Sequence, residues 1–182
     1  MIVHTEHTPN PDTLKFLPGK KVSTAGSVEF LKSDKNINIP LVNKIFSLKG
    51  TTMVFLGEDF ITVKKEKNSE WDDLKYNIIS QINDHYLQGN DVIINKNTEE
   101  SDINLKSDEV VNKIKKILDE KVRPAVAKDG GDIIFKSFND GVVKVQLKGS
   151  CSGCPSSIMT LKQGVQNLLC HYVDEVKSVE AS

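Results

Sequence analysis

Apolar and polar residues follow two different periods on either side of one short segment. From residue 143 to 148, apolar residues alternate with lysine and glutamine, which predicts a half-buried strand. From residue 158 to 172, apolar residues recur every third or fourth position, which predicts one face of a helix that Pro155 begins. These helical positions are Ile158, Leu161, Val165, Leu168 and Tyr172. Cys151 and Cys154 lie between the two elements.

The sequence before this strand predicts another helix and a hairpin. Ser107 is a good N-cap, and an apolar helical face follows it until Pro124 ends or kinks the helix. That face consists of Val110, Ile114, Ile117, Leu118 and Val122. Turns are predicted at Asp129-Gly130-Gly131-Asp132 and Asn139-Asp140-Gly141. A strand is predicted between these two turns, over 133–138. A last strand is predicted over 176–181.

The first half of the chain predicts several short strands and two helices. The predicted strands lie around Leu14 and Phe16, over 27–31, and in a hairpin formed by 51–56 and 60–64. One helix begins at Pro40, with Gly50 as a possible cap. The other follows a capping box that starts at Ser69, carries Trp71 on its apolar face and stops near Gly89.

Together these elements predict an α+β fold with two small α+β domains joined by a polar linker. The first domain covers residues 1–89 and the second covers 107–182, in the order helix, strand, strand, helix, strand. Residues 90–106 are rich in Asn, Asp, Glu, Lys, Ser and Thr and are expected to form the linker. Its apolar patch at 92–94 is expected to pack against the first domain.

Composition limits the classes of partner and compartment. The net charge of −1 on 182 residues gives no reason to expect a nucleic acid or an anionic membrane as partner. No apolar run approaches the roughly 20 residues that span a bilayer, and no signal peptide is recognisable. Three cysteines, two of them in one Cys-x-x-Cys, do not resemble a disulfide framework. We therefore expect an intracellular protein.

The Cys-x-x-Cys segment is the candidate chemical centre. A position just before a helix N-terminus favours thiolates, and Gly153 permits the tight backbone path that brings two of them to one metal. Structural zinc and iron–sulfur clusters both require four ligands, whereas one chain offers only Cys151 and Cys154 here. A second copy of the chain, related by a two-fold axis, would complete a Cys₄ set.

Ligand chemistry alone leaves three interpretations open: zinc, an iron–sulfur cluster, or a dithiol redox centre. In the third, a thiol–disulfide oxidoreductase would use Cys151 as nucleophile and Cys154 as resolving thiol. A thioredoxin-type motif follows a parallel strand in a βαβ unit, whereas the strands here predict an antiparallel hairpin. A zinc-stabilised interaction module is the remaining alternative.

Other chemically conspicuous residues are assigned structural roles. Cys170, beside Leu168 and Leu169, is expected to be a half-buried core thiol rather than a ligand. His171, His4 and His7 are expected to be solvated. Turn chemistry is favoured for Asp129 and Asp132, and the charges from Lys113 to Lys121 are expected to form a solvated helix face.

The chain resembles a known family in both halves. The second half resembles the C-terminal domain of NifU-type proteins in three runs: Arg123-Pro124-Ala125-Val126-Ala127-Lys128-Asp129-Gly130-Gly131-Asp132, Leu147-Lys148-Gly149-Ser150-Cys151-Ser152-Gly153-Cys154-Pro155-Ser156-Ser157, and Thr160-Leu161-Lys162. The first half resembles the N-terminal domain of Nfu proteins in Thr8-Pro9-Asn10-Pro11, Thr13-Leu14-Lys15-Phe16-Leu17-Pro18, Val54-Phe55-Leu56-Gly57 and Asp59-Phe60-Ile61-Thr62-Val63. Asp174-Glu175-Val176 departs from the family's frequent Pro-Glu-Val.

This resemblance implies a function that the residues alone leave open. It implies a non-enzymatic carrier of [4Fe-4S] clusters in late iron–sulfur protein maturation, with Cys151 and Cys154 of two chains as ligands. A homodimer when cluster-loaded, assembly proteins and client apoproteins are the implied partners. The first domain is assigned to docking of these partners. Mitochondrial members carry a targeting extension, and because this chain starts at the domain, a bacterial cytoplasm is the expected location.

Overall fold

The computed structural model describes residues 2–89, 93–94, 109–152 and 155–181, with the backbone alone at 155–157. The chain forms two compact units, residues 1–97 and 98–182, and each combines helices with strands. The predicted α+β class with two domains is therefore confirmed. Most of the predicted linker 90–106, and the predicted N-cap Ser107, lie outside the described residues, so the exact domain limits stay a prediction.

The first unit is built on a five-stranded antiparallel sheet with the strand order β1-β2-β5-β4-β3. Its strands are β1 His4–His7, β2 Thr13–Leu17, β3 Val28–Leu31, β4 Thr51–Leu56 and β5 Ile61–Lys65. Two helices pack on one face of this sheet: α1 Pro40–Ser47 and α2 Trp71–Leu87. The predicted hairpin is confirmed as β4–β5. Ile93 and Ile94 pack against this core, as expected for the apolar patch of the linker.

Two details of the first unit differ from expectation. Strand β1 was not predicted, because its residues are mostly polar and it lies at the edge of the sheet, where alternation is weak. His4 and His7 are exposed, as expected. The prediction of a capping box with Ser69 as the N-cap is wrong. The N-cap of α2 is the next residue, Glu70, and it makes no side-chain hydrogen bond. The Ser69 hydroxyl instead occupies the space beside Gly50.

In its described residues, 109–152 and 155–181, the second unit combines three helices, a π-helical segment and a three-stranded sheet. Its elements are α3 Glu109–Ile117, the π segment Leu118–Val122, α4 Arg123–Lys128, β6 Gly131–Asn139, β7 Val142–Gly149, α5 Pro155–Tyr172 and β8 Ser178–Ala181. Strands β6 and β7 form the predicted antiparallel hairpin, and β8 pairs with β7 in parallel. The elements β7, α5 and β8 therefore form a βαβ crossover. The antiparallel hairpin was the argument against a thioredoxin-type redox centre. Because the cysteine segment lies within a βαβ unit, that argument no longer holds.

Pro124 does not end the first helix of this unit. The helical run continues through the π segment and α4 to Lys128. Pro124 has no N–H, and its ring would clash with the carbonyl four residues earlier, so the wider π turn just before it lets the chain pass. Of the two predicted effects of this proline, an end or a kink, the helix end is wrong, and the local disruption takes the form of the π segment.

The buried face of α5 is rotated relative to the predicted one. Val165 and Leu169 are buried in the core, whereas the Tyr172 side chain is 42% exposed. The Lys121 Nζ lies 5.1 Å from the centre of the Tyr172 ring, which therefore packs on the surface rather than in the core. Among the described residues, no helix has the length and hydropathy needed to cross a membrane.

Candidate functional site

Cys151 lies directly after β7, where the strand leads into α5. Gly149 ends the strand with a φ of 71°, and the Ser152 N–H donates to the Gly149 carbonyl at 3.1 Å. The Ser152 hydroxyl donates to the same oxygen at 2.9 Å, so the backbone turns sharply around Cys151. The Cys151 side chain is only 4% exposed and packs with the core of the second unit. Cys154, the other predicted donor, lies outside the described residues.

Gly131 forms the floor beneath Cys151. A Cβ atom at Gly131 would lie 2.6 Å from the Lys148 carbonyl oxygen and 2.9 Å from the Cys151 Sγ. Gly131 begins β6 and pairs with Gly149, which places the two glycines side by side in the hairpin. Only a residue without a side chain fits here, so the Gly-Gly pair does more than allow a turn.

The loop before Gly131 is tied to the cysteine segment by hydrogen bonds. The Ser150 N–H donates to the Gly130 carbonyl at 3.2 Å, and the Ser150 hydroxyl donates to the Asp129 carbonyl. Asp129 therefore lies in the predicted turn, and its backbone carbonyl, not its carboxylate, holds the site. The Asp129-Gly130-Gly131-Asp132 motif and the segment around Cys151 therefore form one structural unit.

Asp132 is not a turn residue but the buried acceptor of an ion pair with the half-exposed Arg123. The Arg123 Nε and Nη2 donate to the two Asp132 carboxylate oxygens at 2.9 and 2.8 Å. The Asp132 side chain is 7% exposed, and the Arg123 Nη1 also contacts Asp119 at 3.2 Å. The hydrogen bond to Asp132 raises the pKa of Arg123 above its ordinary value, against the opposing effect of burial. The pair fixes α4 to the start of β6, next to Gly131.

The remaining candidates lie away from this site. Cys170 is exposed, so its prediction as a half-buried core thiol is wrong, while His171 is exposed as expected. In the part of the chain that the structure describes, no three His, Cys, Asp or Glu side chains group as a metal site. At this site, one chain therefore offers within those residues a single thiol, that of Cys151, and Cys154 would be the second.

We expect Gly131→Ala to destabilise the second unit by about 1–3 kcal/mol, because the new methyl group would overlap a strand carbonyl that cannot move without loss of β6–β7 pairing. Thermal unfolding measures this change. Gly164→Ala is the matched control, since a Cβ there meets no atom within 4 Å and replaces a glycine inside α5. Equal unfolding temperatures for the two variants would show that the space beneath Cys151 is not restricted.

Known proteins match both halves of the chain. Residues 3–89 match the family model of the scaffold protein Nfu/NifU N-terminal domain, and residues 114–180 match the NifU-like domain. The human mitochondrial NFU1 iron–sulfur cluster scaffold homolog is 42% identical over 181 residues, which cover 99% of this chain and 71% of that protein.

Relatives from an insect and a plant match this chain over the same extent and with similar identity. The mitochondrial NFU1 iron–sulfur cluster scaffold homolog of Drosophila willistoni is 44% identical over 99% of this chain and 63% of its own length. The mitochondrial NifU-like protein 4 of Arabidopsis thaliana is 42% identical over 99% of this chain and 65% of its own length. The chain thus spans slightly less than two thirds of these two relatives.

The expected bacterial cytoplasmic location is wrong. The relatives in human, fly and Arabidopsis are mitochondrial proteins, and they point to a mitochondrial protein instead. The motifs that carry the likeness lie inside the two folded domains. The prediction rested instead on where the given sequence starts, and that does not decide the compartment.

Proposed function

The chain belongs to the Nfu/NifU scaffold family, and from that premise we propose that it is an iron–sulfur cluster scaffold and carrier. It binds a [4Fe-4S] cluster between two copies through Cys151 and Cys154 of each, and it passes the cluster to client apoproteins. The cluster is cargo in this function, not a resident cofactor. The names of the relatives as scaffolds favour a non-catalytic role.

The observation that carries the proposal is the position of Cys151. The thiol lies on the β7–α5 segment, inside the region that matches the NifU-like domain, and it rests on Gly131. Thiolates are the ligands that hold iron–sulfur clusters, and a [4Fe-4S] cluster takes four of them. Since one Cys-x-x-Cys gives two, a second copy of the chain supplies the other pair.

Burial of Cys151 adds a conformational step. With 4% of the residue exposed, its Sγ must turn out of the core before it can reach a cluster shared with another chain. Two ligands from each chain also make the cluster labile, because a client's thiolates can replace them one at a time. Residues 1–89, in which we identify no catalytic group, are assigned to docking of assembly proteins and clients.

Anaerobic reconstitution of the full chain with iron and sulfide tests the proposal. We expect Mössbauer and absorption spectra of a [4Fe-4S] cluster at one per two chains, together with a doubled mass in solution. Uptake of stoichiometric zinc without any cluster would contradict it and would favour a zinc-stabilised module.

One structural observation supports a second candidate function, that of a thiol–disulfide oxidoreductase. The Cys-x-x-Cys segment enters the helix of a βαβ crossover, which is the context of thioredoxin-type dithiols. A thiol–disulfide oxidoreductase would reduce insulin disulfides catalytically as the metal-free protein. A carrier is expected to show turnover at background level in that assay.

A further inference from the structure

Ser150 joins the cysteine segment to a distant part of the chain. It is 1% exposed and directly precedes Cys151. Its N–H donates to the Gly130 carbonyl at 3.2 Å, and its hydroxyl donates to the Asp129 carbonyl, 21 positions earlier. Both acceptors belong to the turn between α4 and β6. These two bonds, which we call the Ser150 clamp, end on successive carbonyls, so they fix both the position and the direction of the backbone at Ser150.

The Ser150 hydroxyl acts on the backbone of Cys151 rather than on its sulfur. The Ser150 Oγ lies 3.9 Å from the Cys151 Sγ. A hydroxyl has one hydrogen to donate, and here the Asp129 carbonyl accepts it. A contact between oxygen and sulfur at this distance contributes little by itself. The hydroxyl therefore influences the thiol by holding the residue that precedes it.

The serine on the other side of Cys151 makes bonds of a different kind. The Ser152 hydroxyl donates to the Gly149 carbonyl at 2.9 Å, and the Ser152 N–H donates to the same oxygen at 3.1 Å. These two bonds close a turn within the segment and do not join it to another element. Loss of the Ser152 hydroxyl would leave the N–H bond of this turn in place.

We infer that Ser150 is a positioning residue for Cys151; this rests on the proposed function, in which Cys151 is a cluster ligand. Because the clamp fixes the backbone, the thiol moves between its place over Gly131 and the cluster by rotation of its side chain, while the segment stays still. A ligand whose backbone is already ordered loses less conformational freedom on binding. The clamp thus keeps the empty thiol over Gly131 and favours retention of the cluster.

Alkylation of the metal-free full chain with iodoacetamide tests the clamp. Peptide mass spectrometry gives a separate initial rate for each cysteine. We expect Cys151 to react about fivefold faster in Ser150→Ala than in the wild type, because the loss of one hydrogen bond shifts an opening equilibrium by about that factor. The exposed Cys170 is expected to react at an unchanged rate.

The loaded chain provides an independent readout. After anaerobic reconstitution, an iron chelator removes the cluster, and absorption spectra follow the loss. We expect Ser150→Ala to lose its cluster about fivefold faster than the wild type, since the freed segment must be ordered again whenever the ligand binds.

Two control variants separate positioning from a general loss of stability. Ser152→Ala removes the same group from the other side of Cys151, and both rates are expected to stay within about twofold of the wild type. Val179→Ala opens space at a 1% exposed site in β8, opposite Val143 and about 20 Å along β7 from Gly149. It lowers the unfolding temperature, but Cys151 in the folded protein is expected to react within about twofold of the wild-type rate.

The outcomes distinguish the inference from the proposed function. Equal alkylation of Cys151 in Ser150→Ala and the wild type would overturn the clamp, and so would an equal acceleration in Ser152→Ala or Val179→Ala. Faster alkylation with unchanged loss of the cluster would overturn the role of Ser150 toward the cluster. A wild-type chain that takes up no cluster would refute the proposed function, while the alkylation rates would still decide whether Ser150 holds the thiol in place.

Discussion

Replacement of Cys151 by alanine is expected to reduce cluster uptake to background and to abolish the cluster-dependent dimer. Without this thiol, two chains together keep only two of the four proposed ligands, the two Cys154 sulfurs, whereas a [4Fe-4S] cluster requires four. The substitution removes one buried sulfur atom, so the fold is expected to lose only about 1 kcal/mol. Absorption spectra, iron and sulfide analysis and sedimentation of the anaerobically reconstituted variant measure the two losses.

Cys170→Ala is the matched control. It removes the same atom from the same helix-containing unit, but at an exposed position away from the cysteine segment. We expect it to load and dimerise like the wild type. If Cys151→Ala kept both the colour and the dimer, or if Cys170→Ala lost them, the assignment of ligands would be wrong.

Replacement of Asp132 by asparagine is expected to destabilise the second unit by about 2 kcal/mol. The amide group would turn an N–H donor toward Arg123, which would lose one of its two close hydrogen bonds and its counter-charge in a buried site. Breaking a fully buried ion pair costs about 3–5 kcal/mol. The Arg123 side chain, however, is 41% exposed and keeps access to water and to Asp119, which lowers the expected cost.

Asp119→Asn provides the internal comparison for this prediction. It removes the other carboxylate that contacts Arg123, but this one is 61% exposed and its ion pair is expected to contribute no more than about 0.5 kcal/mol. Thermal unfolding of both variants gives the two values, with a shift of roughly 10 °C expected for Asp132→Asn in a unit of this size. A similar loss for the two variants would mean that the Arg123–Asp132 pair does not fix α4 to β6.

Local patterns in the sequence predicted most elements of the fold because those elements depend on nearby residues. The hairpin β6–β7, for example, follows from alternation on either side of Asn139-Asp140-Gly141, where Asp140 and Gly141 both have positive φ. Strand β1 escaped detection because an edge strand does not need a continuous apolar face. The π segment was not predicted, because a proline such as Pro124 indicates a local disruption of the helix but not how the chain compensates for it.

The candidate site was predicted only in its most local part. The Cys-x-x-Cys motif identified Cys151, but its support comes from residues distant in sequence: Gly131 beneath the thiol and Asp129 bonded to Ser150. The Arg123–Asp132 pair spans nine positions and joins two different elements, so no periodicity reveals it. Cys170 was placed wrongly because it follows Leu168 and Leu169, although the residue after an inward Leu169 turns outward by the helical step.

Burial of Cys151 also affects how readily its thiol is oxidised when no cluster is bound. Oxidation of a cysteine to sulfenic and higher acids depends on thiolate character and on access. With its sulfur packed against Gly131 and 4% of the residue accessible, Cys151 is expected to react more slowly with peroxide than the exposed Cys170. If Cys151 is a cluster ligand, as proposed, its burial therefore preserves a reduced ligand until the cluster binds.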